Sequence, residues 1–171
     1  MAHDVAGLIR LLQEAHSTEV GALEALDAFN PGFASFEASS VVAEYKSSCE
    51  NQVRALAIRL EELGAKQNQA KSFVNVVFGK AADWMNVTQG AESRNTLLYV
   101  RYYGSAHLKA GLYQAIATYA NMLTDPTTET LAATLRNQEQ HYAAELFPYI
   151  DELASYVDDD DAPPIAPGFQ L

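Results

Sequence analysis

The stretch "VAEYKSSCENQVRALAIRLEELG", residues 42–64, decides the fold class. Val42, Tyr45, Cys49, Val53, Leu56, Leu60 and Leu63 follow one another at steps of three and four. That spacing puts them on one stripe of an α-helix, with charged residues on the opposite face. Gly64 supplies the left-handed conformation that ends a helix. The spacing predicts a helix from about Ser35 to Leu63, long enough to cross a domain.

The same period recurs on both sides. Leu8, Leu12, Leu23 and Leu26 mark a helix from about Asp4 to Asp27, capped by Asp4 and stopped by "FNPGF" (29–33). Leu97, Leu108, Leu112, Ala115, Tyr119 and Met122 mark a third, over about Ala91 to Leu123. "TDPTTE" (124–129) opens a fourth, with Asp125 as cap and Pro126 in the first helical position. Its stripe is Leu131, Leu135, Tyr142, Leu146, Tyr149 and Leu153, and it reaches about Val157. Pro148 inside it predicts a kink. Between 66 and 90 one or two short helices are expected, anchored by Phe73, Val77, Phe78, Trp84 and Met85. No Asn-Gly or Asp-Gly turn and no long alternating run occurs, so strands are not expected. The expectation is an all-α, up-down four-helix bundle over residues 1–157, with a short helical crossover between helices 2 and 3. An acidic, Pro-rich tail follows over 158–171, continuing the run "VDDDDAPP" (157–164).

Composition narrows the function. The net charge of −11 disfavours nucleic acid and anionic membranes, both of which need a basic face. One cysteine, Cys49, rules out an internal disulfide and thiolate clusters; its place on the helical stripe suits a small buried hydrophobe. No apolar run is long enough for a transmembrane helix, and the first residues lack the basic region of a signal peptide, so a cytoplasmic protein is expected. There is no glycine-rich phosphate loop, no G-x-S-x-G and no H-E-x-x-H.

Polar residues on the inner stripes carry the remaining information. On helix 1, His16 and Glu19 keep the spacing of Leu12, Leu23 and Leu26 and therefore face inward. Glu50 lies beside the Cys49–Val53 line, Lys109 beside Leu108, and Gln138 and Glu139 one turn before Tyr142. A di-iron bundle draws one Glu from each of two helices and a Glu-x-x-His from each of the other two. Here Gln13, Gly104 and Gln138 stand three residues before His16, His107 and His141, so the chain has no Glu-x-x-His. Two readings follow. In one, Glu19, Glu50, Lys109 and Gln138 form a buried polar network with tyrosine hydroxyls, and no cofactor is needed. In the other, Glu19, Glu50, Glu139 and His141, assisted by His16, bind Fe, Mn or Zn in an oxidase or iron-handling protein. A single Zn²⁺ or Mn²⁺ shared by His16, Glu19, His141 and Glu145 is a lesser form of the second, if the first and last helices adjoin.

Tyrosines crowd helices 3 and 4: Tyr99, Tyr102, Tyr103, Tyr113, Tyr119, Tyr142, Tyr149 and Tyr156. They suit the half-wet edges of a bundle or, beside a metal, a radical relay. "YVRYYG" (99–104) is a candidate homodimer interface. A cavity beside Gly104 and Gly111 is a candidate small-molecule site.

At these helices the chain resembles the ferritin-like superfamily, nearest the bacterial stress-associated YciF-type group. In "HSTEVGALEAL" (16–26) Glu19 falls at that group's first-helix glutamate, and in "CENQVRALAIRLEELG" (49–64) Glu50 falls at the second. In "HLKAGLYQAI" (107–116) Lys109 replaces the third-helix glutamate. In "LAATLRNQEQHYAAEL" (131–146) Glu139 or His141 falls in the fourth-helix ligand region. The resemblance implies a helical bundle, often dimeric, sometimes holding two metal ions. The lysine departs from that pattern, because an ammonium replaces a cation rather than binding one.

Overall fold

The computed structural model describes residues 4–27, 34–67 and 91–155. Four helices account for nearly all of them: α1 (Val5–Leu26), α2 (Phe36–Glu62), α3 (Ala91–Met122) and α4 (Pro126–Ser155). Among the described residues there is no strand, and no helix is long and apolar enough to cross a membrane. The short helices expected at 66–90 and the tail at 158–171 lie outside the described residues, apart from Lys66 and Gln67, which are not helical.

The ends of the helices are chemically specified. Asp4 accepts a hydrogen bond from the Gly7 amide at 2.6 Å, and Ser35 Oγ one from the Ala38 amide at 3.1 Å. Gly64 takes φ +71°, and the Ala65 amide turns back to the Leu60 carbonyl at 2.9 Å, which closes α2. Asp125 caps α4 through the Thr128 amide at 3.0 Å. Its other carboxylate oxygen receives Arg59 Nη2 at 2.8 Å, and Arg59 Nε reaches Thr128 Oγ1 at 2.7 Å. One guanidinium thus ties the end of α2 to the start of α4. Burial alone would raise the Asp125 carboxyl, but its bonds to Thr128 and Arg59 prevail and hold it below the usual range. α4 continues through Pro148 to Ser155.

The turn between α3 and α4 contains Thr124 at φ +56°, the left-handed region that β-branched residues avoid. Thr124→Gly is expected to stabilise the fold by about 1 kcal/mol and raise the melting temperature by roughly 2–4 °C. A thermal melt yielding a lower value would show that the strain is offset elsewhere.

α1 packs on α2 and α3, and α4 packs on α2 and α3. The cyclic order is therefore α1, α2, α4, α3, with α1 and α4 on a diagonal. Leu8 and Leu12 meet Leu56 and Leu60, Ile116 and Ala120, and Ala132 and Leu135 in one cluster. The starts of α1 and α4 therefore share an end of the bundle with the finishes of α2 and α3. The path is up, down, down, up, as in bundles with one long crossover. A second cluster, including Leu26, Val42, Leu98, Tyr99, Tyr102 and Leu146, fills the other end.

Three stripes match the spacing closely; α3 does not. Its buried residues include Leu98, Tyr99, Tyr102, Ala106, Lys109, Tyr113, Ile116 and Ala120. Leu108 and Met122 are exposed, and Leu97, Leu112 and Tyr119 are only half-buried. The inward face of α3 carries tyrosines, a lysine and alanines, so counting leucines selects its flank. Tyr99 and Tyr102 are correspondingly buried in the core of the bundle. Tyr99 donates to the Ala38 carbonyl, and Tyr102 to that of Ala25 at 3.0 Å.

Candidate functional site

Between the two apolar clusters lies a polar layer to which every helix contributes. α1 supplies Glu19, α2 supplies Tyr45, Cys49 and Gln52, α3 supplies Lys109 and Tyr113, and α4 supplies Glu139. Each of these side chains follows an apolar neighbour by one turn on its stripe, so the helix that buries the leucines buries it too.

Lys109 is at the centre. Its Nζ donates to Glu19 Oε2 at 2.8 Å, faces Glu139 Oε1 at 3.0 Å and lies 3.4 Å from Cys49 Sγ. It also sits 4.8 Å from the centre of the Tyr45 ring, over its face. Lys109, Glu19 and Glu139 are at most 1% exposed. The second oxygen of each carboxylate receives a phenol: Tyr113 donates to Glu19 Oε1 at 2.6 Å, and Tyr45 to Glu139 Oε2 at 2.9 Å. Gln52 lies against Glu139 and donates to Gln138 Oε1 at 3.2 Å.

The electrostatics are consistent with this geometry. Burial would lower the Lys109 ammonium, but Glu19, Tyr45 and Glu139 outweigh it and hold the group well above its ordinary value. Burial pushes the Tyr45 and Tyr113 phenols well up, and the Cys49 thiol likewise, against the opposing pull of Lys109. At neutral pH the cluster is therefore one ammonium, two carboxyl groups and three protonated donors. Glu139 is raised by burial, with Lys109 opposing and Glu19 reinforcing. His16 is buried beside the layer with no hydrogen-bond partner at Nδ1 among the described residues. Burial lowers it, against Glu19.

Of the residues expected from sequence, Glu19, Lys109, Glu139 and His16 are brought inside. Glu50 is not: it stands on the exposed face of α2, because Cys49 takes the inward position and Gln52 the next. Gln138 is exposed and joins only at the rim, through Gln52. His141 is 63% exposed, and its only described ion-pair partner is Glu145, 4.0 Å away on the same face. The site shared by His16, Glu19, His141 and Glu145 is not formed, since His141 and Glu145 stand on the exposed face of α4 and Glu139 takes its inward position. Gln52 and the acceptor roles of Glu19 and Glu139 toward Tyr113 and Tyr45 were not visible in the spacing. Glu139 was, through its place one turn before Tyr142.

Oxygen or sulfur atoms of Glu19, Cys49 and Glu139 lie within 4.8 Å of one another, close enough to hold a metal ion. The space among them is taken by Lys109 Nζ. A charged ammonium has no lone pair to ligate and repels a second cation, so the residues as they stand do not fit a metal.

Four helices with one crossover around a carboxylate-bearing midplane define a ferritin-like bundle. The chain belongs to the family described as Domain of unknown function (DUF892), whose model matches residues 6–156. Two solved structures share the fold. One is the E. coli stress protein YciF, with TM-score 0.76 and 18% identity over 88% of this chain and 96% of that one. The other is YcfI from Rhodopseudomonas palustris, provisionally described as structural, with TM-score 0.73 and 14% identity over 82% and 90%. No curated protein matches the sequence.

Proposed function

We propose that this protein is a stress-related binding or structural bundle whose metal position has been taken over by an internal cation, and that it performs no redox catalysis. The observation that carries this reading is the Lys109 ammonium, seated among Glu19, Glu139 and Cys49. The stress assignment draws on the name of the E. coli neighbour. A cytoplasmic homodimer without cofactor, and without nucleic-acid or membrane partners, completes the proposal.

Elemental analysis tests it. Untagged protein purified without chelator, then incubated with Fe²⁺, Mn²⁺ or Zn²⁺ and desalted, is expected to retain far less than one metal per chain. Its melting temperature is expected to be unchanged by chelator, because a metal bound to the native state would stabilise it by mass action. Near-stoichiometric retention, lost in Glu19→Ala, would overturn the reading and restore metal chemistry at this layer.

A further inference from the structure

On the opposite side of α3 from α1, the α3–α4 seam opens into a groove of about 640 Å³. Its construction is graded. One end is an aromatic wall: the Tyr103 ring meets His107 edge-on at 4.5 Å and Phe147 at 5.4 Å. Phe147 is 53% exposed, a large apolar surface left uncovered. The floor is small residues, Ala143 and Gly111 among them, and a Cβ placed on Gly111 would meet nothing within 4 Å. The other end is Gln114 and Arg136.

The charge of this groove is unlike that of the molecule. The chain carries 22 acidic residues against 11 basic ones, yet no carboxylate lines the groove. Arg136 has no ion pair among the described residues. Its guanidinium is held by neutral acceptors, Gln114 Oε1 and, at 3.0 Å, Asn137 Oδ1. A guanidinium satisfied only by amides is poised to exchange them for a carboxylate, which it can bind through two parallel hydrogen bonds. The repulsion from the remaining negative charge is screened within roughly 8–10 Å at ordinary salt.

We propose that this groove binds a small aromatic carboxylate, its ring against Tyr103 and Phe147 over Gly111 and its carboxylate on Arg136. These residues are separate from the polar layer, so this proposal and the preceding one can fail independently. Naphthalene-2-carboxylate is a suitable probe, followed by its own fluorescence on the full chain. Saturable binding is expected, with the neutral 2-naphthalenemethanol about ten-fold weaker for want of the charge-assisted pair. Arg136→Gln should reduce the carboxylate to the level of the alcohol. Gly111→Leu should abolish binding of both while leaving the melting temperature at or above that of the parent, since leucine favours the helix and has open space to enter. Absence of saturable binding at millimolar probe would overturn the proposal, as would binding indifferent to both substitutions. Sedimentation velocity supplies a further check: a dimer that Gly111→Leu dissociates would show that a second copy occupies the groove, and the ligand proposal would fall.

Discussion

Lys109→Ala is expected to destabilise the protein by about 3–5 kcal/mol, measured by chemical denaturation at neutral pH. The loss does not come from the ion pair alone. Taking an ammonium and two carboxylates out of water costs several kcal/mol per ion, and their mutual attraction does little more than offset that cost. Removing the ammonium leaves Glu19 and Glu139, both with no exposed side-chain surface, facing each other across the vacated space. One must take up a proton or the helices must part to admit water. Three methylenes of a side chain only 1% exposed are lost as well, from the middle of the core. The origin of the loss is separable by a double-mutant cycle. Glu19→Ala should cost markedly less in the Lys109→Ala background than in the parent, because no buried ammonium is then stranded. A Lys109→Ala variant melting like the parent would show that the layer is hydrated and that the lysine does not hold it together.

The fold was legible because three helices keep their apolar residues at helical spacing and their ends carry standard caps: Asp4, Ser35, Gly64 and Asp125. The site was legible only in part, and the reasons are geometric. A 3.6-residue turn does not say which of two adjacent positions points to the axis, so spacing alone allows Glu50 inward beside Cys49, whereas Gln52 is the buried polar residue of α2. On α3 the functional stripe is itself the anomaly. Tyr102, Lys109 and Tyr113 lower its apolar count below that of the flank bearing Leu108 and Leu112. Sequence order also leaves adjacency open. Four helices with a long connection can be wound so that the first and last are neighbours or diagonal; here they are diagonal, and Glu139, on the inward face of α4, comes within 4.8 Å of Glu19 while His141 faces out. What could have located the layer is its composition: a lysine between two glycines on one helix, acidic residues at inward positions on two others.

Stability is expected to fall as pH rises above the ordinary carboxylate value, in the amount that Glu139 controls. The sign follows from proton counting. Burial lifts the folded-state pKa of Glu139 above its ordinary 4.5, so in the window between the two values the folded chain holds a proton that the unfolded chain has released. Stability rises with pH only where the unfolded state binds more protons; here the native state does, and the slope is negative. The stabilisation from protonated Glu139 is thus complete below the unfolded value and is lost as pH rises through the folded one. Lys109 adds no slope there. Its folded pKa is also raised, so its contribution stands in full below the ordinary 10.5 and declines only at higher pH. The comparison that isolates Glu139 is the parent against Glu139→Gln, by denaturant titration from about pH 4 to 9. The difference in unfolding free energy, parent minus variant, should fall across the window with a slope of at most about 1.4 kcal/mol per pH unit. A difference that rises with pH would mean that Lys109 and Tyr45 hold Glu139 ionised against its burial, and the ammonium would then neutralise one carboxylate while a full negative charge remained in the core.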